Sequence, residues 1–194
     1  MTLIRVNPES VQRYGFEAQS IFDEMHASLR GLVDDVVAVR YFGPNAVAFA
    51  TESGRLAADF ANRLHLDMSA MADAVRASTS NIAAALGGQP ISLRIDGRPI
   101  SPPAPPVVAF VDVDTTALEG LIPVVAGRFE SLRSALTSHL GRLQATDWEG
   151  NAKLAAVDAV AGFTASSRAS CDTAELAITG YVRQQLQAVV AADR

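Results

Sequence analysis

The residue types that could do acid–base, nucleophilic or metal chemistry are few in this chain and lie far apart. The histidines are His26, His65 and His139, and Cys171 is the only cysteine. No histidine or cysteine pair has the spacing of a metal site. No glycine-rich, phosphate-cradling segment is followed by lysine and a hydroxyl residue. With no visible set of acid, base and nucleophile, the sequence predicts a protein that is not an enzyme and uses no cofactor or metal.

The elements that position these residues occur twice, because the chain repeats itself at an offset of 107 residues without a gap. This period is too long for a solenoid and indicates two tandem modules of similar structure. We define module 1 as residues 1–88 and module 2 as residues 107–194, joined by a linker at 89–106. Equivalent positions include Phe22 and Phe129, Leu29 and Leu136, and the segments Tyr41-Phe42-Gly43 and Trp148-Glu149-Gly150.

Each module has the pattern of two long helices. Asn7-Pro8-Glu9 combines an N-cap residue, a first-turn proline and an acid, and apolar residues then recur with the 3.5-residue period of a coiled-coil seam. Helices are predicted near 8–39 and 115–146, followed by glycine turns and second helices from 44 to Gly87-Gly88 and from 151 onward. The predicted fold is all-α, two helical hairpins packing as a four-helix bundle. The seam positions are Val11, Gly15, Ala18, Phe22, Met25, Leu29, Leu32 and Val36, with Leu118, Ile122, Val125, Phe129, Leu132, Leu136, His139 and Leu143.

This pattern gives the chemical residues structural interpretations. His139 occupies a seam position, which favours a buried imidazole over a ligand, and Cys171 corresponds to Leu64, which favours a buried, inert thiol. Asp34-Asp35 is interpreted as part of a solvated face. Pro123 is expected to kink or delay the third helix because proline lacks the backbone donor.

The linker breaks the helical pattern. Ile91 to Ile100 alternates around Asp96-Gly97 and predicts a β-hairpin, Pro102 to Pro106 predicts a stiff extended spacer, and Val107 to Val113 predicts a short strand that 4–6 echoes. We expect antiparallel packing of the two modules. Fully extended, the connection from 87 to 114 reaches about 90 Å. A formed hairpin shortens this to roughly 55–60 Å, and would favour parallel packing or exchange of modules between chains.

A long helix, an aromatic-x-Gly turn and a second long helix resemble the WXG superfamily of type VII secretion. Trp148-Glu149-Gly150 matches the family motif, and Tyr41-Phe42-Gly43 resembles it with tyrosine in place of tryptophan. The resemblance covers both modules and implies a one-chain version of a dimer of helical hairpins. Tyr41 and Trp148 have two open interpretations, as core wedges at the bends or as recognition elements.

The resemblance also implies an export signal, Tyr-x-x-x-Asp/Glu, after the second helix of one partner. Here Tyr181 is followed at that spacing by Gln185, so the signal would be degenerate. Tyr14 and Tyr41 are followed at the same spacing by Ala18 and Asn45. Either the signal is degenerate, or a partner supplies it, or the protein is not itself exported.

Composition excludes several classes of function. The 194-residue chain has a net charge of -5 and a pI near 5.1, which argues against nucleic-acid binding. Its one cysteine excludes an intrachain disulfide framework. The N-terminus lacks the pattern of a cleaved secretory signal, and no apolar stretch has the length of a membrane span.

We therefore expect a non-enzymatic interaction protein of type VII secretion, a secreted substrate or an effector carrier, localised outside the cell without a cleaved signal or in the cytoplasm. Its expected partners are proteins, either secretion machinery or an effector, and it could form a homo-oligomer. The alternative is a cytosolic chaperone or adaptor that holds a helical segment of a partner.

Overall fold

The computed structural model describes residues 4–86, 88–105, 108 and 110–192, apart from the side chains of residues 44, 85 and 86. Within these residues the chain forms four long helices and two short strand pairs, which confirms the predicted all-α four-helix bundle. The elements in chain order are β1 (Arg5–Val6), α1 (Pro8–Val37), β2 (Tyr41–Phe42), α2 (Pro44–Leu86), β3 (Asp112–Val113), α3 (Thr115–Gln144), β4 (Trp148–Glu149) and α4 (Asn151–Ala192).

The repeat is present in the structure as well as in the sequence. Each element of module 2 begins 107 residues after its counterpart in module 1. The helix starts are capped alike: Asn7 Oδ1 accepts a hydrogen bond from the Ser10 N–H at 3.2 Å, and Asp114 Oδ1 accepts one from the equivalent Ala117 N–H at 3.1 Å. The same local sequence signals therefore set the same helix boundaries twice.

The chain divides into two compact units that cut across the two modules. Unit 1 consists of Met1–His26, Leu64–Gly97 and Arg133–Ala169, and unit 2 of Ala27–Arg63, Arg98–Leu132 and Ser170–Arg194. Each unit contains a segment of all four helices. Unit 1 also contains β1 paired with β4, and unit 2 contains β2 paired with β3. Each strand pair is thus made by one strand from each module.

Helices α1 and α3 are antiparallel in both units, as we expected. In unit 1, Val6 pairs with Trp148, and further along α1 the Tyr14 hydroxyl lies 2.8 Å from His139 Nε2. In unit 2, Asp35 pairs with Arg128, and further along the chain Tyr41 pairs with Val113. In each unit the residue number in module 2 decreases as the residue number in module 1 increases, so α1 and α3 run in opposite directions.

The predicted seam forms the core of both helices. All eight seam positions of α1 are buried, and those of α3 are buried except Ile122, which is half-buried. Phe22 is 1 % exposed and Phe129 0 %. Burying a large apolar side chain contributes about 1.5–3 kcal/mol, so this stripe is the main source of stability for helices this long.

The expected effect of Pro123 on the helix start is wrong. Helix α3 begins at Thr115, eight residues before the proline, and continues to Gln144. Pro123 lies on the exposed side of α3, as does Glu119, whose carbonyl loses its partner. Water can therefore satisfy that carbonyl, while Leu118 and Val125 on the opposite side are fully buried and hold the helix together.

The predicted β-hairpin at 91–100 is also wrong, because residues 88–105 contain no strand. Side chains of the helices take the hydrogen bonds that a hairpin would have used. The Gln19 amide bonds both the N–H of Arg94, at 2.8 Å, and its carbonyl, at 3.0 Å. In unit 2, Asn62 does the same for Ile100, at 2.8 and 2.9 Å. The alternating apolar side chains of Ile91, Leu93 and Ile100 are buried, and they anchor the linker to the helices.

Two glycines inside helix α3 offer a test of this description. Gly127 and Gly141 lie in α3 with open space where a Cβ would be. Replacing either by alanine is expected to raise the free energy of unfolding by about 0.5–1 kcal/mol. The reason is that an unfolded chain with alanine has less conformational freedom than one with glycine, so folding costs less entropy. Urea denaturation followed by circular dichroism measures the change.

The matched control is Gly54→Ala in α2. It has the same gain in helix propensity, but its methyl group would lie 3.0 Å from Pro102 Cβ and 3.1 Å from Val37 Cγ2. We expect it to destabilise the protein by about 1 kcal/mol, since overpacking outweighs propensity. Equal stabilisation by Gly54→Ala and Gly141→Ala would contradict the packing described around Gly54.

Candidate interaction site at the first bend

The two bends have the same backbone geometry. Gly43 and Gly150 adopt φ of 125° and 126°, a region that side chains rarely allow. The aromatic residue two positions earlier is buried in each case, with Tyr41 8 % and Trp148 1 % exposed. Each aromatic residue also belongs to a two-residue strand. Glycine is required at the third motif position by the turn, and the first position belongs to the core.

The middle residue of the motif differs between the bends. At the second bend, in unit 1, Glu149 is exposed. At the first bend, in unit 2, Phe42 is half-buried and its ring centroid lies 5.8 Å from that of Phe110. Phe110 and Val111 are 57 % and 71 % exposed. The first bend therefore presents an apolar surface to solvent where the second presents an acid.

A cleft of about 250 Å³ lies beside this surface. One side is the first bend, including Tyr41, Phe42 and Gly43, together with Val111 and Val113. The other side is the last turns of α4. The α4 residues that line it are Gln185, Ala188, Val189 and Ala192. The cleft is therefore walled by residues from both modules and is predominantly apolar.

Tyr181 is held on the wall of α4 leading to this cleft. Its ring stacks on Phe49 with centroids 5.6 Å apart and planes 8° from parallel, and Phe49 in turn contacts Tyr41 at 5.6 Å. Burial raises the pKa of the Tyr181 phenol, with smaller contributions from Glu52 and Tyr41. Burial likewise raises the pKa of Tyr41. Both phenols are neutral at physiological pH and act as packing and hydrogen-bonding groups.

The structure thus brings together two groups of sequence-predicted residues and separates a third. The first-bend motif and Tyr181 and Gln185, the residues with the spacing predicted for an export signal, converge in unit 2. The second motif, from Trp148 to Gly150, belongs to unit 1. The half-buried Gln185 faces the cleft as an uncharged amide.

Two contributors to this site were missed by the sequence analysis. Phe110 and Val111 are exposed apolar residues of this surface, yet they lie outside both the helices and the bend motifs. The sequence feature that could have identified them is that two bulky apolar residues stand directly before β3. Asp34-Asp35 was assigned to a solvated face, which is wrong for Asp35, because its Oδ2 accepts a hydrogen bond from Arg128 Nε at 2.8 Å.

The histidines lie in or beside the core, and the cysteine is buried. His139 is buried and bonded to Tyr14, which confirms its structural interpretation, and burial lowers its pKa to about 4. His26 and His65 meet edge to face at 5.7 Å. Desolvation and then His26 lower the pKa of His65, opposed by Asp96. Cys171 is fully buried. In the part of the chain that the structure describes, no cluster of three or more histidine, cysteine or carboxylate side chains could hold a metal ion.

Comparisons with known proteins assign no family to this chain. No known protein family, curated protein or solved structure matches this chain. None of the helices in the described residues contains an apolar stretch that could span a bilayer.

Proposed function

We propose that this chain is a non-enzymatic interaction protein of type VII secretion, a fused counterpart of a WXG-type dimer that is exported or carries an effector. The observation that carries the proposal is the duplicated bend. Tyr41-Phe42-Gly43 and Trp148-Glu149-Gly150 share a buried aromatic residue, a positive-φ glycine and a strand paired with the other module.

The cleft at the first bend supports a specific recognition surface for this function. An apolar wall with half-buried Phe42 and exposed Phe110 and Val111 is suited to an apolar segment of a protein partner. Tyr181 and Gln185 have the spacing of the export signal of the resembled family, although they lie within α4 and not after it, and both lie on the α4 side of this surface. We assign contact with the secretion machinery or effector to this end of unit 2.

A second candidate is a cytosolic adaptor, and Gln185 is the observation that favours it. Without an acid at this position the cleft keeps its apolar wall but lacks the charge of the resembled signal. Such an adaptor would hold an apolar helical segment in the cleft and stay inside the cell. The two candidates share the surface and differ in whether the chain is exported.

The experiment that separates them is expression in a host with a working type VII system and in a strain that lacks its motor ATPase. We expect the protein in the culture supernatant of the first strain alone, with a cytosolic marker retained in the cells. Retention in both strains would reject export and favour the adaptor, and release from both would indicate lysis or another route.

Substituting Gln185 by glutamate provides a sharper prediction. Gln185→Glu restores the acid four residues after Tyr181, so we expect at least a fivefold increase in ATPase-dependent export. Gln184→Glu makes the same change in charge at an adjacent, exposed position and is the matched control. Equal export of the two variants would argue against a signal at this cleft.

A further inference from the structure

The two strand pairs carry equivalent ion pairs with the charges exchanged. In unit 2, Arg40 of module 1 and Asp112 of module 2 are 2.9 Å apart. In unit 1, Arg5 of module 1 and Asp147 of module 2 are 3.9 Å apart. At the 107-residue offset Arg40 corresponds to Asp147 and Arg5 to Asp112. Module 1 therefore supplies arginine at both places, and module 2 supplies aspartate.

The helices carry a second set of pairs with the opposite arrangement. Asp35 of α1 pairs with Arg128 of α3 at 2.8 Å, and Glu17 of α1 pairs with Arg142 of α3 at 3.7 Å. Asp35 and Arg142 are again equivalent positions of the repeat. In this set module 1 supplies the acids and module 2 the arginines. All four pairs join the two modules within one unit.

Replacing module 2 by a second module 1 would remove all four attractions and reverse three of them. Arg40 would face Arg5, since Arg5 is the counterpart of Asp112. Asp35 would stand where Arg142 now pairs with Glu17. Three of the four attractions become repulsions between like charges, and Asp35 loses its partner because the counterpart of Arg128 is Ile21. These changes disfavour the wrong partner.

Replacing module 1 by a second module 2 has the same result. Asp112 would face Asp147, and Arg142 would stand where Asp35 now pairs with Arg128. Neither homotypic pair keeps any of the four attractions in this geometry.

A buried hydrogen bond adds to this selectivity. The Tyr14 hydroxyl meets His139 Nε2 at 2.8 Å, and the counterparts of these residues are Leu121 and Leu32. A second module 1 would place Leu32 against Tyr14, and a second module 2 would place Leu121 against His139. Either exchange leaves a buried polar group without this partner, at the cost of its desolvation.

We propose that the face between the modules is a charge-coded heterotypic interface, so that each module accepts a partner of the opposite type and rejects a copy of itself. Exposed ion pairs of this kind contribute little to stability. Their effect is on partner choice, because changing one side converts attraction into repulsion at several places together. A second copy of this chain fits the face only by reciprocal exchange of module 1 for module 2.

A charge-exchange cycle in the full chain tests the pairing. We expect Arg5→Asp with Arg40→Asp to lower the urea midpoint of unfolding, and addition of Asp112→Arg with Asp147→Arg to restore it. The control for net charge is Arg30→Asp with Arg63→Asp, two exposed arginines that form no ion pair with module 2 in the described part of the chain. A control that falls as far as the first variant, or no recovery in the fourfold variant, would contradict the pairing.

Partner choice itself is measured by refolding a mixture. A protease site after Ala104, in the exposed part of the linker, allows folded wild-type and fourfold-exchanged chains to be cut, mixed, denatured and refolded together. Native mass spectrometry then counts the pairings by mass. We expect two kinds of pair at less than one fifth of their statistical share in low salt: a wild-type module with an exchanged module of the other type, and two copies of one module from the same variant. Their share should rise in 1 M salt, where the Debye length is about 3 Å. A statistical distribution in low salt would overturn the proposal.

Discussion

Replacing Trp148 by alanine is expected to lower the free energy of unfolding by about 3–5 kcal/mol, the usual cost of removing a large aromatic side chain from a core. Trp148 is 1 % exposed and belongs to the strand that pairs with Val6. Its loss would leave a cavity beneath the second bend and remove a wall against which β1 is held. Circular dichroism is the appropriate probe of urea unfolding, because Trp148 is the only tryptophan.

The matched control is Leu154→Ala, one turn into α4 from the same bend. Leu154 is 63 % exposed, so its truncation should change the stability by less than about 0.5 kcal/mol. Trp148→Phe keeps a ring in the core and should lose less than Trp148→Ala. A loss below 1 kcal/mol for Trp148→Ala would reject the core-wedge interpretation and leave recognition as the role of this residue.

The helices were predictable because their information is local. A 3.5-residue apolar period, the N-cap positions Asn7 and Asp114, and the turn glycines Gly43 and Gly150 are each determined by a few neighbouring residues. The same signals occur twice at one offset, so an error in one module would have been visible against the other. The starts of α1 and α3, at Pro8 and Thr115, match the expected positions.

The linker was not predictable from its own residues. Its alternation is compatible with a hairpin or with an extended segment lying on helices, and the choice depends on distant amides. Gln19 is 75 residues away from Arg94 in sequence, and Asn62 is 38 away from Ile100. Neither glutamine nor asparagine in the middle of a helix identifies its partner in advance.

The candidate site was half predictable for a related reason. Tyr41, Phe42, Gly43, Tyr181 and Gln185 were identified from motif spacing, but their convergence depends on the antiparallel packing. Contacts such as Tyr14 with His139 select that packing. The counterparts of these two residues in the other module are both leucine. The specific residues that break the repeat therefore determine the arrangement, while the residues that follow the repeat determine the helices.

The stability of this protein is expected to fall as the pH is lowered from about 6.5 to 4, and His139 should account for much of the loss. Burial lowers the pKa of His139 from 6.5 to about 4. Between these values the unfolded chain binds a proton that the folded protein does not, so the folded state loses about 1.4 kcal/mol per pH unit. The loss attributable to His139 reaches about 3 kcal/mol at pH 4, and the full contribution is present above pH 6.5.

His139→Gln isolates this contribution, because glutamine can bond the Tyr14 hydroxyl without titrating. The variant should have a flatter dependence of the urea midpoint on pH, whatever its stability at pH 7. Tyr14→Phe removes the hydrogen bond but keeps the burial that causes the shift. We expect it to cost about 1 kcal/mol with the slope retained. His65→Gln should reduce the slope as well, since the pKa of His65 is lowered in the same direction. A slope unchanged by His139→Gln would mean that His139 has the same pKa in the folded and the unfolded protein, which its buried contact with Tyr14 and Phe22 argues against.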